Sequence, residues 1–198
     1  MSPITPAAAY LQTVARVRSA LVDTFDQVDP WFDKPAAARS YRPSSGGWTI
    51  DEVLEHVILT SHFLMIVIRN STRTALKRAT AGAAIVPGES DLDLLEPIGR
   101  RGAFTWSRPE HMIPTGTVPS GEVRERMREQ RRECLKILEE LSDGEGSLHR
   151  VRMSVNQSGK LDIYQWLYFL AQHARRHVDQ MKENEAEWES QMTSQLRR

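Results

Sequence analysis

Apolar positions recur at helical spacing over four long stretches of the chain, separated by segments rich in proline, glycine and polar residues. The first runs from about Ala7 to Val28, with Leu11, Val14, Val17, Leu21 and Phe25 on one face. Asp29-Pro30 predicts its end, because proline disfavours helix in the residue before it. A loop bearing Pro35, Pro43, Gly46 and Gly47 follows. The second helix is predicted from Thr49 to about Arg78, with Val53, His56, Val57, Thr60, Leu64 and Val67 facing inward. Thr49 and Glu52 have capping-box spacing, in which each side chain bonds the other residue's backbone N–H.

The helical pattern then lapses from Gly82 to Pro119, a segment containing Pro87, Pro97, Pro109, Pro114 and Pro119. Loops this long are uncommon inside a compact domain and are usually functional or disordered. Phe104, Trp106, Ile113 and Val118 predict that this one packs, as a crossover over one face or end of the helices. Ser120 is the expected cap of a third helix, Gly121 to Leu141, with Val123, Met127, Cys134, Leu138 and Leu141 in its stripe. Turn residues from Ser142 end it, and Leu148 to Val155 alternates weakly, as an extended segment would. Asp162 and Gln165 repeat the capping-box spacing. The last helix is predicted from Ile163 to about Met192, with Ile163, Trp166, Leu167, Leu170, His173, Ala174, His177 and Met181 on one face. The expected fold is all-α, a four-helix bundle with a long crossover between helices two and three, in one domain spanning residues 1–198.

Composition narrows the function. With 198 residues, 40% hydrophobic and 26% charged, the chain suits one soluble globular core. Twenty-six basic residues balance 26 acidic ones, whereas a nucleic-acid partner calls for a basic excess. No apolar run approaches the roughly 20 residues of a membrane span. The N-terminus MSPITPAAAYLQ lacks the basic flank and apolar stretch of a secretory signal. A cytoplasmic protein that binds neither nucleic acid nor membrane is therefore expected. The single cysteine, Cys134, rules out an internal disulfide and reads as a packed core thiol.

The candidate chemistry lies in the histidines. His173 and His177 are four residues apart on a predicted helix, so their rings project from one face a turn apart. Both lie on the apolar stripe, as does His56 on the second helix. Burying imidazoles without partners is costly. They could bond backbone carbonyls, or share a divalent metal. Nitrogen ligands with room for water or substrate suit a catalytic zinc site, whereas structural sites usually close with cysteine. Gln180 returns to the face of His173 and could orient a ligand or substrate. His62 lies about 600° of helix rotation beyond His56 and is read as a non-ligand. His111 and His149 fall in loops. Trp48 reads as a staple at the start of the second helix, and Trp166 as core. Arg100, Arg101 and Arg108 in the crossover read as solvated charges or as contacts for an anionic substrate.

Three segments carry a family resemblance. GGWTIDEVLEHV places a tryptophan and a helix start before His56; RPEHMIPTGTVPSGEV leads into the third helix; LDIYQWLYFLAQHARRHVDQM holds His173, His177 and Gln180. In order and spacing they resemble the DinB/YfiT-like proteins, from about Leu11 to Met181. The resemblance implies a four-helix bundle in the spatial order one, two, four, three. It implies a metal triad at His56, His173 and His177, with zinc or nickel as the metal. Some relatives are thiol-dependent transferases or isomerases, and many have no established reaction. The resemblance thus implies a metal-dependent enzyme that transfers a low-molecular-weight thiol to an electrophilic small molecule. A metal-dependent hydrolase and a non-catalytic metal-binding stress-response module are the alternatives, and a homodimer is left open.

Overall fold

Helix α1, Pro6–Val28, stops at Asp29-Pro30, where the chain tightens into a short 3-10 helix, Asp29–Asp33. Val17, Leu21 and Phe25 are fully buried. Leu11, expected to face inward, is 65% exposed, and Tyr10 is buried in its place. The cause is phase: Tyr10 precedes Val14 and Val17 by four and seven residues, so it lies on their face and Leu11 lies off it. The Tyr10 ring stacks on Tyr164 at 5.5 Å, and its hydroxyl donates to the Val86 carbonyl at 2.9 Å. The computed structural model describes residues 6–86, 88, 90–103, 109–153 and 159–196.

After a one-turn helix α2, Ala36–Arg39, helix α3 runs Ile50–Thr80. Its capping box forms as expected: Glu52 N–H donates to Thr49 Oγ1 at 3.2 Å and Thr49 N–H to Glu52 Oε2 at 2.8 Å. Helix α4, Ser120–Glu140, does not begin as expected. Pro119 occupies the cap position, and its carbonyl accepts from Glu122 and Val123. A proline's fixed φ suits this entry to a helix. Ser120, the expected cap, instead accepts a hydrogen bond from Arg39 Nη1 at 2.5 Å. Helix α5, Ile163–Leu196, opens with the reciprocal Asp162–Gln165 capping bonds, each 3.0 Å, and extends past the expected Met192. Before it, strands β1, Val151–Arg152, and β2, Lys160–Leu161, pair antiparallel as a minimal hairpin.

The four long helices form a bundle in which α1 packs on α5 and α4, and α3 packs on α5 and α4. In chain order the circuit is one, four, two, three, which corrects the expected order one, two, four, three. Helices one and two sit on a diagonal. The residues from Asp29 to Thr49, with their 3-10 turn and α2, are long enough to cross it. Arg39 Nη1 binds both Asp51 at the start of α3 (2.8 Å) and Ser120 at the start of α4. Those two helices are therefore parallel neighbours, and the crossover must return the length of the bundle. Each fully buried large side chain in the seam, such as Met65, Ile68 or Leu138, contributes about 1.5–3 kcal/mol.

The crossover is fastened along its course. Ser90 Oγ donates to Asp162 Oδ2 at 2.6 Å. A 3-10 helix, Asp93–Gly99, lies on α5 with Leu95 and Ile98 buried, and Arg16 bridges to Asp93 and Glu96 at 2.6 and 2.5 Å. A Cβ at Gly99 would stand 2.2 Å from Gln172 Oε1, so a larger residue here requires the Gln172 amide to move aside. A last short 3-10 helix, Glu110–Met112, crosses α3. Of the apolar residues expected to anchor the crossover, Val118 packs against the core and Ile113 is exposed; just beyond Ile113, Thr115 bonds Glu55 on α3. Phe104 and Trp106 lie outside the described residues.

Candidate metal centre

Helix α3 contributes His56 from its second turn, on the stripe of Val53, Val57 and Thr60, all buried. Helix α5 contributes His173 and His177 from its buried face. Because α3 and α5 are neighbours, the three rings converge. Their centroids are 5.3 Å (His56–His173), 4.8 Å (His56–His177) and 4.7 Å (His173–His177) apart. One nitrogen from each can be chosen so that all lie within 4.8 Å of one another.

The ring orientations are set from outside the cluster. His56 Nδ1 donates to the Met112 carbonyl at 2.7 Å, and His177 Nδ1 to Gln180 Oε1 at 2.9 Å. An oxygen that can only accept fixes the proton on Nδ1 and leaves Nε2 as the nitrogen able to ligate. His173 Nε2 and His177 Nε2 stand 3.3 Å apart. Two imidazole nitrogens at about 2.0–2.1 Å from a tetrahedral zinc are themselves about 3.3 Å apart, so the pair has the spacing a shared ion requires.

Burial, chiefly, lowers the pKa of His177 to about 3, with the charges of His56, Arg176 and Arg101 acting the same way. Burial likewise carries His173 well below the ordinary histidine value, helped by His177, His56 and Arg176. Both rings are neutral at pH 7, the form that binds metal. Among the described residues no carboxylate joins the cluster.

The other residues singled out from the sequence fall outside it. His62 is exposed and edge-on to Phe63 at 5.3 Å, and His111 is exposed with its ring 4.2 Å from the same phenylalanine. His149 is half-buried on the loop after α4. Trp48, expected as a staple at the helix start, lies with its ring 4.7 Å from that of His56, beside the cluster. Its carbonyl accepts from Asn184 Nδ2 at 2.8 Å. Trp166 is buried, 6.5 Å from Phe169. Cys134 is buried with Sγ 3.4 Å from Met65 Sδ, and burial pushes its thiol up to about 12. Arg101 pairs with Glu183 at 2.6 Å, Arg100 is exposed, and Arg108 lies outside the described residues. A groove of about 480 Å³ lined by Arg16, Ser19, Tyr168, Gln172 and Arg175 opens between α1 and α5, and none of the three histidines lines it.

Sequence reasoning misses two contributors, the Met112 carbonyl and Glu55. Glu55 is buried and accepts from Thr115 and Gly116. A backbone carbonyl has no residue signature, and Glu55 resembles any acidic residue near a helix start.

No curated protein and no solved structure gives a significant match to the chain. The model of the DinB superfamily matches residues 13–181, a span that includes all three histidines and the whole crossover. The chain belongs to the DinB superfamily.

Proposed function

We propose that this chain is a metal-dependent enzyme in which His56, His173 and His177 hold one divalent transition metal, zinc or nickel. In this reading it transfers a low-molecular-weight thiol to an electrophilic small molecule. The observation that carries the reading is the convergence of three buried histidines, two of them turned by acceptors on Nδ1 so that Nε2 faces inward. The general metal association of the superfamily supports it.

When bound, the metal would supply a positive charge that lowers the pKa of a thiol or water beside it, making a nucleophile at neutral pH. The chain's part is to hold and shape. Three neutral imidazoles add no negative charge, so the field in the cluster favours an anionic ligand such as a thiolate. The Met112 carbonyl and Gln180 keep the rings aimed. Trp48, with its ring 4.7 Å from that of His56, would limit the access of water on that side. We place this chemistry in a single cytoplasmic domain covering residues 1–198. Among the described residues no helix is long and apolar enough to cross a membrane. A homodimer would appear as a doubled mass in sedimentation.

The test is a turnover screen of zinc- or nickel-loaded protein on electrophilic small molecules, with and without bacillithiol or mycothiol. Turnover that requires the thiol is the expected result. Turnover with water alone assigns a metal-dependent hydrolase. Binding without turnover assigns a non-catalytic metal-binding stress-response module.

A further inference from the structure

The crossover meets α3 beside the histidine cluster at two adjacent helix residues. His56 Nδ1 bonds the Met112 carbonyl at 2.7 Å. Glu55, only 4% exposed, accepts three hydrogen bonds from the chain just beyond it. Thr115 N–H donates to Oε1 at 2.9 Å, the Thr115 hydroxyl to the same oxygen at 2.8 Å, and Gly116 N–H to Oε2 at 2.8 Å. A buried carboxylate is costly unless donors satisfy it, and bonds to a charged acceptor are the stronger kind. Here all three donors come from two consecutive residues of the crossover.

The bend is built for this contact. Gly116 has φ +68°, the left-handed region, and a Cβ there would stand 3.3 Å from Glu52 Oε1. Glu52 is itself held by the Thr49 N–H at 2.8 Å and by Arg42 at 2.7 Å. Met112 and Thr115 are three residues apart in the chain, a reach of at most about 10 Å. Fixing Thr115 therefore restricts where the Met112 carbonyl can lie.

We propose that Glu55 is a positioning residue: by fastening Thr115 and Gly116 it sets the Met112 carbonyl against His56, and the strap so fastened closes the histidine cluster and slows metal exchange. The proposal rests on the metal-binding reading above. Glu55→Gln keeps the size of the side chain but replaces one acceptor oxygen with an NH₂ group, which faces a donor. Thr115→Val keeps both backbone amides and removes the hydroxyl alone.

The experiment measures two things for the wild type and both variants. One is the rate at which a chelator strips zinc from loaded protein, and the other is backbone hydrogen exchange over residues 112–117 without metal. Glu55→Gln is expected to speed zinc release about 10- to 100-fold, the range for loss of a group that orients a ligand. It should also speed exchange at Thr115 and Gly116. Thr115→Val should move both readouts the same way by less. Faster exchange with unchanged zinc release would show that Glu55 only holds a loop, and overturns the proposal. If Glu55→Gln does not fold, Thr115→Val decides alone, and unchanged zinc release in it overturns the proposal. A wild-type chain that takes up no zinc overturns the metal reading and this one with it. Wild-type uptake with equal release in all three proteins overturns this one only.

Discussion

His173 Nε2 and His177 Nε2 face each other at 3.3 Å across one turn of α5. Two neutral imidazoles at that spacing can share at most one proton, and the contact is longer than the usual range of about 2.7–3.2 Å for an N–H donor. A divalent cation would engage both lone pairs, with His56 as the third ligand. On this account His56→Ala, His173→Ala and His177→Ala each cut zinc affinity sharply in isothermal titration. His62→Ala and His111→Ala leave it nearly unchanged, because both rings are exposed at Phe63. Gln180→Ala falls between the groups, weakening binding about 10- to 100-fold, since it removes the acceptor that turns His177. If His62→Ala abolished binding while His56→Ala did not, the ligand assignment would fail.

The bundle should outlast its metal. The apolar stripes of α1, α3, α4 and α5 run well beyond the histidines, from Tyr10 and Leu21 to Ile68, Leu138 and Tyr164, all fully buried. Zinc-loaded protein treated with a chelator is expected to keep its helical circular dichroism. Collapse to random coil would show that the ion is needed for folding, as in small zinc domains.

Much of this was legible in the sequence because helix period is local information. The stripes of α3, α4 and α5 place His56, Cys134, His173 and His177 inside, and the spacings Thr49–Glu52 and Asp162–Gln165 mark two helix starts. Where a local rule has two readings, the outcome turns on context. Leu11 and Tyr10 each fit an apolar stripe, and the phase set by Val14 and Val17 selects Tyr10. Ser120 and Pro119 each suit a helix start, and Arg39 engages the serine hydroxyl. Information that lives in the connections is not local at all. The order of helices around the bundle depends on how far residues 29–49 and 82–119 travel, which no periodicity records. The bonds of Glu55 and His56 to residues some 60 positions away are hidden for the same reason.

Cys134 should be chemically silent. Its sulfur is fully buried against Met65, and burial pushes the thiol up to about 12. Only the thiolate is nucleophilic, so a thiol reagent at pH 8 is expected to leave the native protein unmodified and to label it on unfolding in denaturant. Rapid labelling of native protein would reopen Cys134 as a nucleophile and weaken the view that any thiol chemistry uses an external thiol.

The most direct test of the central claim is metal-edge X-ray absorption on protein loaded with zinc, alongside elemental analysis. The account predicts about one ion per chain, with imidazole nitrogens at about 2.0–2.1 Å in its inner shell, and loss of that signal in His177→Ala. An inner shell of oxygen alone, or a wild-type chain that takes up no zinc or nickel, would contradict it.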